Sequence, residues 1–137
     1  MKNKPSPPVG IACSMLSVML LVGIRTFASP CAVHADGSMG ACHWAAQAVF
    51  GVGIVLLVLS LVRIFELDEG ERRGLSLGIA CLGVLVACMP GVLVDLCATA
   101  SMPCRTGTQP FCIAVGVALA LTGGIDLIVR LLRLLKR

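Results

Sequence analysis

Cysteines and polar neighbours form two similar groups in this sequence. The first polar segment contains Cys31 and Cys42, and the second contains Cys97 and Cys104. Cysteine pairs on the oxidising side of a membrane ordinarily form disulfides, and four cysteines allow three pairings. Both segments follow the order Cys-Ala, Ser-Met, Cys, which favours the pairs Cys31–Cys42 and Cys97–Cys104. Bridges between the two segments would join them equally well.

A soft-metal site is a second interpretation of the same segments. Cysteine and methionine side chains select ions such as Cu(I). Five candidate ligands are present: Met39, Cys42, His43, Met102 and Cys104. No Cys-x-x-Cys occurs in the chain, so the spacing is not that of a zinc site.

Thiol–disulfide exchange is a third interpretation, in which the cysteines of one segment pass electrons to those of the other. Enzymes of this kind commonly use Cys-x-x-Cys to lower the thiol pKa, and that motif is missing. The sequence also has no nucleophile–base pair, phosphate loop or paired carboxylates. We therefore favour disulfides, predict no cofactor, and assign no enzymatic activity.

Long uncharged runs indicate the elements that position these cysteines. The chain of 137 residues is 58% hydrophobic and only 13% charged, with a mean hydropathy of +0.99. A helix of about 20 apolar residues crosses the hydrocarbon core of a bilayer, where helices satisfy their own backbone groups. We predict an all-α membrane protein, with residues 1–137 forming a single domain. The four predicted spans are 9–27, 45–65, 75–96 and 111–132, joined by outer loops 28–44 and 97–110 and a cytoplasmic loop 66–74.

The distribution of basic residues predicts the orientation. Nine of the eleven Lys and Arg residues would share one side of the membrane, and only Arg25 and Arg105 fall on the other. The positive-inside rule then places both termini in the cytoplasm. We expect a multi-pass protein of a bacterial or archaeal plasma membrane that does not bind nucleic acid. Val33-His34-Ala35 resembles a signal cleavage site, but Arg25 interrupts the approach to it, so we expect the first span to be retained.

Small residues indicate how the helices pack. The repeated cysteine pattern suggests two helical hairpins related by duplication, arranged as parallel repeats. Membrane helices approach closely where small residues share a face. Two such rows are present: Gly83, Ala87 and Gly91 in the third span, and Gly116, Ala120 and Gly124 in the fourth. Pro90 is expected to kink the third helix.

A few charges and thiols fall within the apolar runs. Buried charges require partners, so we predict ion pairs between Arg25 and Asp95 and between Asp126 and Arg130, the latter at favourable i, i+4 spacing. Because Cys81, Cys88 and Asp95 are spaced seven residues apart, they would lie on one stripe of the third helix. A polar pathway along this stripe is the functional interpretation, but free cysteine behaves as a small hydrophobe. We therefore predict that Cys81 and Cys88, like Cys13 and Cys112, belong to the core.

Several of these residues also carry a family resemblance. Over about residues 9 to 132, the chain resembles the bacterial and archaeal family called domain of unknown function 4418. The resemblance rests on Cys31, Met39, Cys42-His43-Trp44, Pro90 to Cys97, Met102-Pro-Cys104 and Thr108-x-Pro110. This sequence departs from the family pattern by one additional residue between Met39 and Cys42 and by an alanine after Trp44. The resemblance implies an accessory role beside ABC-type export permeases. The expected partners are lipid, membrane transporter subunits, or a second copy bound through the small-residue faces.

Overall fold

The computed structural model describes residues 7–28, 40–65, 68–95 and 104–136. These residues form four α-helices and, before the last one, a single π-helical turn, Cys104–Thr108. The helices are α1 (Pro7–Arg25), α2 (Ala41–Phe65), α3 (Glu69–Cys88) and α4 (Gln109–Leu135). Within these ranges the only β-type contact is an isolated bridge between Pro90 and Val94. The predicted all-helical class is therefore confirmed.

Three of the helical segments are long and apolar enough to cross a membrane: Pro8–Arg25, Ala41–Phe65 and Cys104–Leu135. The helix α3 differs because its first turns contain Glu69, Glu71, Arg72 and Arg73. Its start is fixed by Asp68, whose side chain accepts a hydrogen bond of 3.0 Å from the Gly70 amide. The acidic residues of the first turn suit the positive end of the helix dipole. The fourth membrane span and the orientation of the termini stay predictions.

The third helix ends earlier than the predicted span 75–96. It stops at Cys88, and a turn follows in which Gly91 has a φ of 99°. A proline cannot donate the helical hydrogen bond, and the glycine after it tolerates the left-handed conformation that reverses the chain. Pro90 therefore terminates the helix instead of kinking it. Asp95 consequently lies outside α3, and the predicted stripe of Cys81, Cys88 and Asp95 does not continue along one helix.

Close packing of α3 on α4 is the most extensive contact between helices, followed by that of α1 on α2. A Cβ atom on Gly83 would lie 2.6 Å from the Ala120 amide nitrogen, and one on Gly116 would lie 2.6 Å from that of Ala87. The predicted rows of small residues thus face each other within one chain. The exceptions are Gly91, which lies in the turn, and Gly124, where an added Cβ atom would meet nothing within 4 Å.

The centre of the bundle is apolar and includes two of the predicted core thiols. Cys13 and Cys112 are completely buried, which confirms their assignment to the core. The prediction was wrong for Cys81, whose side chain is on the outside of the bundle, while Cys88 is half-buried. In place of Cys81 and Cys88, α3 directs Ile79, Gly83 and Val86 into the bundle.

Candidate functional site

A cluster of charged side chains is buried between α2, α3 and α4, at the end of the bundle where α2 ends and α3 begins. Arg63 lies in the last turn of α2, and its side chain is only 2% exposed. Its Nη2 lies 2.6 Å from Asp126 Oδ2 on α4, and its Nε donates a 3.0 Å hydrogen bond to Ser76 Oγ on α3. One guanidinium group therefore connects three helices.

Asp126 is the centre of this cluster. Besides Arg63, its Oδ2 accepts a 2.8 Å hydrogen bond from Arg130 Nε, one helical turn later. The Ser76 hydroxyl lies 2.9 Å from the same oxygen and 2.8 Å from the Arg72 carbonyl, so it can donate to either. The ion pair between Asp126 and Arg130 that the spacing predicted is present. Both side chains of this pair are less than a tenth exposed.

Glu69 completes the cluster at its solvent edge. Its Oε2 lies 3.1 Å from Arg130 Nη1, and its side chain is 37% exposed. Two guanidinium groups, Arg63 and Arg130, thus face two carboxylates, Asp126 and Glu69. Burying a charge is costly unless it is both paired and hydrogen-bonded, and this arrangement supplies both. The balanced charges and the interhelical contacts are typical of a structural lock.

The opposite end of the bundle contains the two described cysteines of the predicted outer loops. Cys42 lies in the first turn of α2, and Cys104 begins the π-helical turn before α4. Both are buried, with exposed fractions of 4% and 0%. Cys31, Cys97, Met39 and Met102 lie outside the described residues. The disulfide pairings and the soft-metal ligand set therefore stay predictions.

Hydrogen bonding and aromatic packing join α1 to α4 beside these cysteines. Thr108 Oγ1 donates a 2.9 Å hydrogen bond to the Ala28 carbonyl, and both residues are buried. The rings of Phe27 and Phe111 meet edge to face at 5.0 Å. The end of α1 and the beginning of α4 are consequently held together at the level of Cys104.

His43 and Arg25 both lie at this end of the bundle. Together with Ile24, Ala46, Gln47 and Phe50 they line a cavity of about 70 Å³. His43 Nε2 lies 3.2 Å from Gln47 Nε2, and the imidazole meets the Trp44 ring edge to face. Among residues 7–28, 40–65, 68–95 and 104–136, no three His, Cys, Asp or Glu side chains are grouped to hold a metal ion.

The Arg25 side chain has an aromatic neighbour. Its guanidinium carbon lies 4.2 Å from the centre of the Phe50 ring, the geometry of a cation–π interaction. The ion pairs between described residues do not include one between Arg25 and Asp95. Asp95 is exposed in the turn after α3. The early end of α3 accounts for this difference, because the pairing assumed that Asp95 is on the helix.

A groove of about 450 Å³ lies between the start of α1 and the last half of α4. Its walls are mainly apolar, and Asp126, Arg130 and Arg133 supply charge along one side. The lining residues are Pro8, Val9, Ala12, Thr122, Ile125, Asp126, Val129, Arg130 and Arg133. The groove is thus bounded on its polar side by the buried charge cluster.

Three features define the class of this protein: apolar helices of spanning length, charges that pair between helices inside the bundle, and apolar side chains exposed along the helix flanks. It is a multi-pass, all-helical membrane protein. The family model described as Domain of unknown function (DUF4418) matches residues 13–129, and the chain belongs to this family. No curated protein and no solved structure matches the chain.

Three members of the charge cluster were not identified from the sequence. The sequence indicates Arg63 only as one of the nine basic residues on the predicted cytoplasmic side, and it indicates no role for Ser76 or Glu69. A signal was available, since Asp126 is the only acidic residue between Thr106 and the end of the chain. A carboxylate in an apolar membrane helix usually faces the bundle interior, where cationic side chains of other helices can also pair with it. Arg63, in the last turn of α2, was a suitable candidate.

Proposed function

We propose that this protein is an accessory, partner-binding component of a membrane transport system, and that disulfides stabilise its outer end. The burial of Cys42 and Cys104 at the same end of the bundle carries the disulfide part of the proposal. A thiol that exchanges disulfides must be accessible to the attacking thiolate. Thiols this deeply buried suit a structural role better than exchange.

The surroundings of His43 favour disulfides over a soft metal. His43 and Arg25 line the same cavity, and one imidazole nitrogen lies 3.2 Å from Gln47 Nε2. A fixed positive charge beside a ligand opposes the binding of a cation. Soft-metal binding and thiol exchange are retained as alternative outcomes of the test below.

The exposed apolar side chains of the outer end support a docking role. Phe27, Trp44 and Val92 are 71%, 63% and 79% exposed, and each lies at or just beyond a helix end on the cysteine side. Exposed aromatic residues are frequent anchors of protein interfaces. The occupant we propose is the outer part of a transport permease, in line with the accessory role that the family resemblance implies.

Thiol labelling of intact cells tests the disulfides. A membrane-impermeant maleimide is applied before and after reduction, and before and after chelation of metals. We expect the four loop cysteines to react only after reduction, with the buried Cys42 and Cys104 labelled after transfer to a denaturing detergent. Reaction after chelation alone would indicate a metal site instead of disulfides. A mixed disulfide with a soluble thiol protein, trapped in single Cys→Ser variants, would support exchange instead.

Site-specific photo-crosslinking tests the docking role. A photoreactive amino acid replaces Trp44, and the matched control carries it at Phe65, which is 78% exposed at the other end of the same helix. Each variant is expressed with a candidate permease. We expect a permease adduct from position 44 only. Adducts with lipid alone, or equal permease adducts from both positions, would contradict docking at the outer end.

A further inference from the structure

The groove between α1 and α4 has the form of a site for one lipid molecule. It follows α4 from Thr122 to Arg133, which lies eleven positions further along the helix. At 1.5 Å per residue this is about 16 Å, roughly half of the 30 Å hydrocarbon core. A partner's transmembrane helix would need a groove through both leaflets, whereas an acyl chain needs only one.

Arg133 gives the groove a charged mouth. It lies near the end of α4, is exposed, and forms no hydrogen bond or ion pair with the residues that the structure describes. The carboxylate of Asp126 also borders the groove, but it is engaged by Arg63 and Arg130. Together the groove and the charge cluster contain three guanidinium groups, Arg63, Arg130 and Arg133, and two carboxylates, Asp126 and Glu69. One positive charge is therefore left over, and it lies at the mouth.

We propose that this groove binds one anionic phospholipid, with an acyl chain against Val9, Ala12 and Ile125 and the phosphate at Arg133. Basic pockets between helices on the cytoplasmic side of a membrane are suited to anionic headgroups. The predicted orientation places the mouth on that side, because it lies at the end of the bundle where α1 begins and α4 ends. The site requires neither the proposed disulfides nor a transport partner.

Native mass spectrometry in a neutral detergent, with equimolar phosphatidylglycerol and phosphatidylcholine, tests the proposal. We expect one phosphatidylglycerol to remain bound per chain. Arg133→Gln should weaken its binding about five-fold, because a basic residue near the headgroup contributes about 1 kcal/mol, and 1.4 kcal/mol corresponds to ten-fold. Lys136→Gln is the matched control, since Lys136 is exposed at the same helix end but does not line the groove.

A second pair of variants tests the apolar part of the groove. Val129→Trp fills it, while Ile128→Trp places the same ring at the neighbouring exposed position outside it. We expect only Val129→Trp to displace the lipid. Equal retention of the two lipids by the unmodified chain would overturn the proposal. So would phosphatidylglycerol binding that Arg133→Gln and Val129→Trp leave unchanged, since lipid would then surround the protein without a specific site.

Discussion

Replacing Asp126 with alanine should be the most destabilising single change in the charge cluster. The substitution removes the contacts of Oδ2 with Arg63 Nη2 at 2.6 Å, Arg130 Nε at 2.8 Å and Ser76 Oγ at 2.9 Å. Arg130 retains Glu69, but Arg63, only 2% exposed, loses its ion-pair partner. Breaking a buried ion pair costs about 3–5 kcal/mol. For a chain of this length, that lowers the midpoint of thermal unfolding by on the order of 10 °C.

Thermal unfolding of the purified protein in a neutral detergent measures this loss. Glu69→Ala is the control, because its partly exposed pair should contribute about 1 kcal/mol or less. The double variant Arg63→Met, Asp126→Met should recover most of the stability, since apolar replacement of a buried pair is often neutral. A loss in Asp126→Ala no greater than that in Glu69→Ala would refute the assignment of Asp126 as the centre of the cluster.

Three further predictions concern other parts of the bundle. Gly116→Ala should destabilise the protein by about 1–3 kcal/mol through overpacking against α3. Gly124→Ala should not, because the added methyl group would meet nothing within 4 Å. Thermal unfolding of the two variants measures the difference. Cys81→Trp should leave the unfolding midpoint nearly unchanged because Cys81 lies on the outside of the bundle, whereas Cys112→Trp overpacks a fully buried position and should lower it. Arg25→Gln should cost about 0.5–1 kcal/mol by loss of its cation–π contact, and an unchanged unfolding midpoint would contradict that contribution.

Helix positions were predictable where one physical requirement dominates. The uncharged runs predicted α1, α2 and α4, because lipid leaves the backbone of an apolar segment no alternative to helix. The end of α3 was misplaced because the apolar run continues past Pro90. Apolar composition alone does not distinguish a helix from a turn of apolar residues. The Pro90-Gly91 pair was the local signal for that turn.

The charge cluster was only partly predictable, because it depends on contacts between helices. The pair Asp126–Arg130 follows from spacing on one helix, whereas the contact of Arg63 with Asp126 joins residues 63 positions apart. No local pattern determines which of several basic residues turns inwards. The loop cysteines differ in this respect. The presence of four cysteines suggests disulfide chemistry, but the choice among the three possible pairings depends on how the loops fold.

The early end of α3 has a consequence for the surrounding bilayer. From Gly74 to Cys88 the helix has fifteen residues free of Asp, Glu, Lys and Arg. At 1.5 Å per residue their length is about 22 Å, which is shorter than the hydrocarbon core of about 30 Å. If α3 crosses the membrane as predicted, this hydrophobic mismatch is relieved by thinning of the adjacent lipid. The α3 side of the protein would then prefer short-chain lipids and thin membrane regions, and the deformed lipid would itself attract neighbouring proteins with similarly short spans.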